Sequence, residues 1–398
     1  YEWFLSKAEG EMNQNGKTSV TPEELEKWKN ETEPGYQSFD WYDYVVQSNA
    51  PQSSVNVNVS GGTEAVKYYF SVSQLDQDAV FKQYKFSRTN IQSNIDAKIG
   101  NLDLSMQING RREVNKNPAQ TANADDYFAP RLAMISNLPY ERPFANDNPN
   151  YPAYLTGGSG CFNTAVLNGA SGYKKSVWSV LQTNFSAEYH IPFVQGLSVK
   201  AMYSYYIADN MFDNFQYAYD LYTYDKTRDL YISKGGNSVA KREKSNSKAY
   251  NSVWQAQISY NKTFGEHNIN AILVNERQEY STDKSALIST PNNNILPNME
   301  FADMINGYSG VSEQARIGYI GRISYDFANR YYAEFLGRYD GSWKFPKKDR
   351  WAFFPSGSIG WRITEEPFYK KNLSNKIIQD LKLRDILGAV GGGEHMVF

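Results

Sequence analysis

The fold of this chain is decided by residues 102–109, which read Leu-Asp-Leu-Ser-Met-Gln-Ile-Asn. Apolar and polar side chains alternate across these positions without a break. Successive side chains of a β-strand point to opposite faces of the sheet, so this period of two predicts a strand with one apolar and one polar face. An amphipathic helix is excluded, because its apolar positions recur every three or four residues. The segment is therefore a strand that separates two different environments.

The alternation recurs along most of the chain. Residues 55–60 read Val-Asn-Val-Asn-Val-Ser, and residues 254–261 read Trp-Gln-Ala-Gln-Ile-Ser-Tyr-Asn. The chain is therefore predicted to be all-β. Roughly twelve strands are predicted, near residues 54–60, 66–75, 86–99, 101–112, 176–191, 197–208, 250–263, 267–280, 314–327, 331–341, 351–364 and 379–387.

The connections between the predicted strands are either short or long. Short turns are predicted at residues 61–64, 100–101, 192–196, 264–267 and 328–329. Long connections are predicted at residues 113–175, 209–249 and 281–313. A soluble sandwich also alternates, but loops beyond about 15 residues are uncommon in compact domains. Short periplasmic turns on one rim and long extracellular loops on the other are typical of an antiparallel transmembrane β-barrel.

This orientation assigns a place to each part of the chain. Residues 1–50 are expected to form an extracellular loop segment with a short helix, which Thr21 and Pro22 would start as N-cap and first helical residue. Helical signal is confined to this segment. A plug and a first strand are expected to precede it. Residues 51–388 are then a partial barrel, and residues 389–398 are an atypical tail, for which a truncated or incomplete gene is one explanation.

The composition is consistent with an outer-membrane barrel. The 398 residues carry a formal charge of -2, which argues against nucleic-acid binding, and 21% charged residues are too few for a disordered chain. No apolar run is long enough for a transmembrane helix. Aromatic residues make up 15%, and the 31 Tyr outnumber the 28 Gly. Barrels place such residues in girdles at both membrane interfaces. A Tyr-rich soluble sandwich or a sugar-binding β domain has a similar composition.

Sites of covalent chemistry are not indicated. A single cysteine, Cys161, excludes an internal disulfide and any metal site with several cysteines. The three histidines lie far apart, at His190, His267 and His395, and share no ligand spacing. We therefore expect no catalytic residue, no metal and no cofactor.

Several segments resemble the SusC/RagA family of TonB-dependent outer-membrane transporters. The first barrel hairpin of that family is similar to residues 56–63 followed by residues 67–73. A mid-barrel strand is similar to residues 318–327, which read Gly-Tyr-Ile-Gly-Arg-Ile-Ser-Tyr-Asp-Phe, and the similarity continues through residues 338–342. The most specific match is residues 350–368, which include Phe-Phe-Pro-Ser-Gly-Ser-Ile-Gly-Trp-Arg and end in Glu-Glu-Pro-Phe. The motifs follow the family's order.

The resemblance implies a fold and a function. Family members are barrels of about 22 strands that are filled by an N-terminal plug and import nutrients, mainly oligosaccharides and sometimes peptides. The TonB-ExbB-ExbD system pulls on the plug, and a SusD-like lipoprotein covers the extracellular loops. This chain would sit in the outer-membrane lipid of a Gram-negative, Bacteroidetes-like bacterium. It shows no plug or TonB box, about ten C-terminal strands are absent, and it departs from the family after Arg384. By itself it is expected not to transport.

Candidate substrate-binding residues lie in one aromatic and acidic segment. Sugar rings stack on aromatic faces and sugar hydroxyls bond to carboxylates, although loop aromatics also pack on one another or on a lid protein. Three arginines, Arg322, Arg338 and Arg362, are expected to face the lumen and to stabilise the wall rather than bind substrate. A calcium site at residues 146–148 lacks the full ligand spacing. The substrate candidates are Tyr217, Tyr219, Asp220, Tyr222, Tyr224 and Asp225.

Three other functions remain open from the sequence. An enzyme is disfavoured, since no Ser/His/Asp order and no metal-ligand cluster occurs and nothing indicates the two convergent carboxylates of a glycosidase. A soluble or surface carbohydrate-binding β-sandwich predicts apolar faces that pack together, whereas the apolar faces of a transporter contact lipid. A passive porin shares the barrel but has no plug and no energy coupling.

Overall fold

The computed structural model describes residues 1–119, 128–155, 164–296, 302–372 and 380–388. Strands dominate, because the alternating segments pair with their neighbours in the chain. The strands are β1 (Gln52–Gly62), β2 (Val66–Asp78), β3 (Lys85–Ile99), β4 (Leu102–Pro118), β5 (Gly172–His190), β6 (Leu197–Gln216), β7 (Tyr219–Asp225), β8 (Leu230–Asn237), β9 (Lys241–Phe264), β10 (His267–Pro291), β11 (Ala302–Phe327), β12 (Tyr331–Ser342), β13 (Trp351–Arg362) and β14 (Lys382–Gly388).

Twelve of these strands form one antiparallel sheet. Its order follows the chain from β1 to β6 and then from β9 to β14, with β7 and β8 forming a separate two-stranded hairpin between β6 and β9. Within the described residues, β1 and β14 each pair with one neighbour only and so form the two edges. The predicted fold class and the predicted number of strands are confirmed. The total of about 22 strands in a closed barrel stays a prediction.

The two faces of the sheet differ as the alternation predicts. On one face, apolar side chains remain exposed, for example Val57 at 67%, Leu273 at 55% and Phe335 at 51%. The positions between them carry polar side chains, such as Asn56, whose amide donates to the Ser71 hydroxyl at 3.1 Å. We call the apolar face the outward face and the polar face the inward face. An exposed apolar face this wide is suited to lipid.

The two rims of the sheet also differ. Short turns connect the strands at one rim, at residues 63–65, 100–101, 191–196, 265–266 and 328–330. The exception at this short-turn rim is the connection 363–381 between β13 and β14. The predicted short turns are thus confirmed. The opposite, long-loop rim carries the connections 79–84, 119–171, 217–240, 292–301 and 343–350.

The strands are longer than the sequence analysis predicted, so the long connections are shorter. β10 was expected to end near residue 280 and continues to Pro291, and β6 was expected to end near residue 208 and continues to Gln216. Alternation of polarity stops where the apolar environment stops. The backbone ladder needs no apolar side chains and continues beyond that level. The segment 209–249, expected to be a loop, is largely strand and contains the β7–β8 hairpin.

Helices are found in three places rather than only at the start of the chain. The predicted N-terminal helix is confirmed as α2, where the Thr21 hydroxyl accepts from the Glu24 amide at 3.1 Å. The expectation that helices are confined to the start was wrong, since short helices also close loops too irregular to show a period. The helices are α1 (Glu2–Asn15), α2 (Pro22–Asn30), α3 (Trp41–Val45), α4 (Phe128–Ser136), α5 (Thr164–Asn168) and α6 (Pro367–Asn372). No helix among the described residues has both the length and the apolarity needed to cross a membrane.

Many of the best-buried apolar residues lie in the loops of the long-loop rim, although Ala208 and Phe215 of β6 and Ala286 of β10 are buried in the sheet. α3 supplies Trp41 and Val45, which pack with Ala133 of α4 and with Ala153 and Leu155. The Trp41 indole N–H also donates to the Leu138 carbonyl at 3.0 Å. A sheet whose apolar face contacts lipid does not need an apolar core of its own. The main apolar cluster that is buried away from water is therefore formed by the loops.

Candidate functional site: the loop hairpin and the inward wall

The β7–β8 hairpin holds most of the predicted substrate residues. Its tight turn is built by Asp225, whose carboxylate accepts from the Thr227 amide at 2.9 Å and from the Arg228 Nε at 2.7 Å. The Arg228 side chain, with these backbone donors, lowers the pKa of Asp225. Asp229 then takes a positive φ of 53°, which Asp tolerates better than most residues. The Asp225 carboxylate therefore stabilises the turn of the hairpin.

One face of the hairpin carries a ladder of hydroxyls and carboxylates. Asp220 accepts from the Ser233 hydroxyl at 3.0 Å and from the Tyr222 hydroxyl at 3.4 Å. Tyr224 donates its hydroxyl to Asp229 at 2.6 Å. Partial burial, followed by the Asp220 charge, raises the pKa of Tyr222, and the hydrogen bond to Asp229 raises the pKa of Tyr224. Both phenols therefore stay protonated donors near neutral pH.

The rings of this face belong to an aromatic cluster. Tyr151, from the distant connection between α4 and α5, stacks on Tyr231 with ring centroids 3.7 Å apart and an interplanar angle of 4°. It also meets Tyr222 edge-on at 5.0 Å, and Tyr224 lies 5.1 Å from Tyr231. Asn148 donates its amide to the Tyr231 hydroxyl at 3.3 Å. The sequence analysis missed Tyr151, because only the tertiary fold brings it to the hairpin.

The hairpin and the residues just before it are fastened by hydrogen bonds to two other connections, 119–171 and 292–301. Tyr222 donates its amide to the Pro152 carbonyl and accepts from the Tyr154 amide, both at 2.8 Å. The Asn294 side chain, from the β10–β11 connection, bonds both the amide and the carbonyl of Ala218, at 2.8 and 2.7 Å. Tyr217 donates its amide to the Ser171 carbonyl at 2.9 Å. The hairpin therefore moves with its neighbours and not as a free loop.

The six candidate residues are thus divided among three positions. Asp220, Tyr222 and Tyr224 share the laddered face, because every second residue of a strand points the same way. Tyr219 and Asp225 occupy the alternate positions of β7. Tyr217 precedes the strand and packs its ring on Phe215, with centroids 4.9 Å apart.

The residues considered for calcium are engaged with the protein. Asn148 accepts from the Asn150 amide at 3.1 Å, and Asp147 lies 3.9 Å from Arg142. Across the described part of the chain, no group of three or more His, Cys, Asp or Glu side chains is arranged to hold a metal ion.

The inward wall of the sheet carries paired charges. Arg322 bonds Glu334 at 2.6 Å, and the Ser324 hydroxyl donates to the same carboxylate at 2.8 Å. Arg338 bonds Asp340 at 2.5 Å. Arg362 also pairs with an acid, Asp380, at 2.9 Å. The three arginines bond to acids of the sheet or its connections, as expected of residues that stabilise the wall.

The chain is similar to TonB-dependent receptors along most of its length. The TonB-dependent receptor P3 of Formosa agariphila is 26% identical over 368 residues, which are 88% of this chain and 34% of that receptor. The TonB-dependent receptor SusC of Bacteroides thetaiotaomicron is 23% identical over 376 residues, which are 90% of this chain and 35% of that receptor. These similarities agree with the resemblance of the chain to the SusC/RagA family of TonB-dependent receptors.

Solved structures of SusC/RagA-type proteins share the fold of this chain. The RagAB peptide importer in its open-open state aligns with a TM-score of 0.70 and 20% identity, over 88% of this chain and 37% of that one. No family model matches the chain. The chain spans about a third of the length of the curated relatives it matches. The location of the chain is the outer membrane, and in outer-membrane barrels the long loops are extracellular and the short turns periplasmic.

Proposed function

We propose that the protein containing this chain actively imports a nutrient, an oligosaccharide or a peptide, across the outer membrane. The observation that carries the proposal is the twelve-stranded sheet with one lipid-suited and one polar face, which aligns with TonB-dependent receptors over most of its length. The curated relatives are named as receptors and the structural neighbour as a peptide importer. We therefore assign transport, and not catalysis, to the chain.

Two partners belong to this proposal. Energy would come from TonB-ExbB-ExbD through a plug domain outside these 398 residues. A SusD-like lipoprotein would cover the extracellular rim. Residues 1–50 support this arrangement, because they contact the long-loop rim: Gln47 donates its amide to the Val80 carbonyl at 2.8 Å, and Phe39 donates to Pro139 at 2.7 Å. Residues 1–50 are then an extracellular segment, and residues 51–388 are barrel wall and loops.

Within the extracellular layer, we assign substrate contact to the laddered face of the hairpin. Asp220 is exposed there, and the half-buried rings of Tyr222 and Tyr224 lie beside it. A carboxylate next to aromatic rings suits a sugar hydroxyl or a peptide amide, since each needs an acceptor and an apolar surface. Tyr217, Tyr219 and Asp225 would support the hairpin and not touch the substrate.

The alternative functions lack comparable support. A β-sandwich buries the apolar faces of two sheets against each other. Among the described residues, the only second sheet is the two-stranded hairpin, and the outward apolar side chains stay exposed. A passive porin has the same wall, but the curated relatives are TonB-dependent receptors. A requirement for TonB distinguishes the porin from the proposed importer.

The proposal is tested by growth of the source bacterium on single nutrients. Deletion of the gene is expected to abolish growth on one oligosaccharide or peptide, and the full-length gene should restore it only when TonB is present. Uptake that persists without TonB would show a porin instead. For the hairpin, the triple variant Asp220→Asn, Tyr222→Phe, Tyr224→Phe should raise the half-saturating nutrient concentration at least several-fold. The matched variant Tyr42→Phe, Asp43→Asn, also exposed at the extracellular rim, should not.

A further inference from the structure

The outward face carries unpaired cations just above its apolar band. We define this basic patch as Arg112 and Lys116 of β4, Lys175 of β5 and Lys244 of β9. All four side chains are exposed. Lys116 stands directly opposite Lys175 in the β4–β5 register, and directly opposite Lys85 in the β3–β4 register. Lys244 stands opposite Asp213, which in turn stands opposite Lys175.

These cations lack protein counter-ions. None of the four forms an ion pair or hydrogen bond within the described residues. Asp213 is taken by the buried Arg242, at 2.8 Å, and Lys85 is taken by Asp78, at 3.5 Å. Like charges directly opposite each other destabilise a sheet. On the inward face of β3 and β4, by contrast, Arg88 and Arg111 are paired with Glu113, at 4.0 and 3.5 Å. The unpaired row on the outward face therefore implies an anion supplied from outside the chain.

The height of the patch indicates where that anion lies. The outward apolar band of β4 runs from Leu102 to Gly110, which is about 27 Å along the strand and about 21 Å along the membrane normal at the usual tilt. Arg112 is the next outward position above this band. Lys116 lies four residues further, at about 10 Å greater height by the same geometry. Apolar Val177 and Met211 stand on the same face between the two levels.

We infer that the basic patch binds the phosphate groups of a phosphorylated glycolipid in the outer leaflet. The anion comes from a lipid, because the basic patch continues the lipid-facing surface and not the inward wall. A tall headgroup fits better than that of a simple phospholipid, since the cations are spread over two levels. Arg112 would contact phosphate near the acyl chains, while Lys116, Lys175 and Lys244 would contact phosphate higher in the headgroup. This inference depends on the outer-membrane location and not on the imported nutrient.

The test measures glycolipid retained by the full-length protein after purification from outer membranes in mild detergent. The variant is Lys116→Gln, Lys175→Gln, Lys244→Gln. The matched control is Lys344→Gln, Lys347→Gln, Lys348→Gln, which removes the same charge from exposed lysines of the β12–β13 connection. A third protein carries arginine at positions 116, 175 and 244. Heat-modifiable electrophoretic mobility confirms that each protein is folded.

We expect at least three-fold less phosphorylated glycolipid per protein in the glutamine variant, and retention close to wild type in the control and in the arginine variant. Lipopolysaccharide added to delipidated protein should bind, and the same lipid after phosphatase treatment should not. Equal retention by wild type and the glutamine variant would overturn the inference. Inorganic phosphate that competes at equal phosphate concentration would show a free-anion site and also overturn it. Growth on the imported nutrient is scored separately, so failure here leaves the proposed transport untouched.

Discussion

Single residues show their constraints most clearly in the short periplasmic turns. Gly196 closes the β5–β6 turn with φ of 89°, and its carbonyl accepts from the Asn261 amide of β9 at 2.8 Å. A Cβ at this position would overlap the Asn261 carbonyl oxygen. Gly265 closes the β9–β10 turn with φ of 58°, and a Cβ there would meet no atom within 4 Å. The two glycines thus share a left-handed backbone and differ in their surroundings.

Gly196→Ala is therefore expected to destabilise the barrel more than Gly265→Ala. In both variants, a residue with a Cβ must adopt the left-handed backbone conformation, which costs about 1–2 kcal/mol. Only the first must also displace the neighbouring strand. The measurement is the temperature at which the folded, fast-migrating form of the full-length protein is lost in electrophoresis. Equal shifts for the two variants would contradict the predicted clash.

At the scale of elements, the extracellular hairpin is held by contacts from other loops. Its own two strands form a bulged pair, with the register shift between Leu221 and Tyr222. A two-stranded hairpin is marginal by itself in water. Tyr151 supplies ring contacts and Asn294 supplies two hydrogen bonds to Ala218. The position of the candidate substrate face therefore depends on residues more than 60 positions away in the chain.

Asn294→Ala is expected to loosen the hairpin without unfolding the barrel. The loss of both bonds to Ala218 leaves that backbone amide and carbonyl without their partner, at a cost of about 1–3 kcal/mol. Limited proteolysis of the full-length protein should then cut within residues 219–237 several-fold faster. The control is Asn292→Ala, an exposed residue of the same connection. Equal cleavage rates in the two variants would show that Asn294 does not hold the hairpin.

At the scale of the whole molecule, the decisive feature is that the sheet formed by the described residues has two unpaired edges. β1 and β14 present unpaired backbone groups at the two edges of the described sheet. Lipid cannot satisfy such groups, and each one exposed to hydrocarbon costs several kcal/mol. All residues of β1 and β14 are exposed. On β14, Asp385 stands opposite Ile359 in the outward row, where a charge is unfavourable in lipid.

The 398-residue chain expressed alone is therefore expected not to insert as a working transporter. It should aggregate or stay detergent-unfolded, whereas the full-length protein should fold. Heat-modifiable electrophoretic mobility measures whether the barrel has folded. Ion conductance in liposomes measures whether the folded protein forms a pore. A heat-modifiable, conducting species formed by these 398 residues alone would refute the expectation.

The sequence by itself determined the strands, the two faces and the short turns. These features follow from local rules: a period of two puts Leu102 and Leu104 on one face, and the short turn at residues 328–330 sets the register of its hairpin. The sequence also placed the six candidate substrate residues in one segment, but it could not divide them between faces.

Only the tertiary structure decided how far the strands extend and what surrounds the hairpin. Polar strand extensions above the membrane show no apolar alternation, so their ladder became visible only through pairing with neighbours. Tyr151 and Asn294 reach the hairpin from separate loops, and the unpaired state of Lys116 and Lys175 depends on cross-strand register. Such contacts are set by packing between distant segments, which no local pattern encodes.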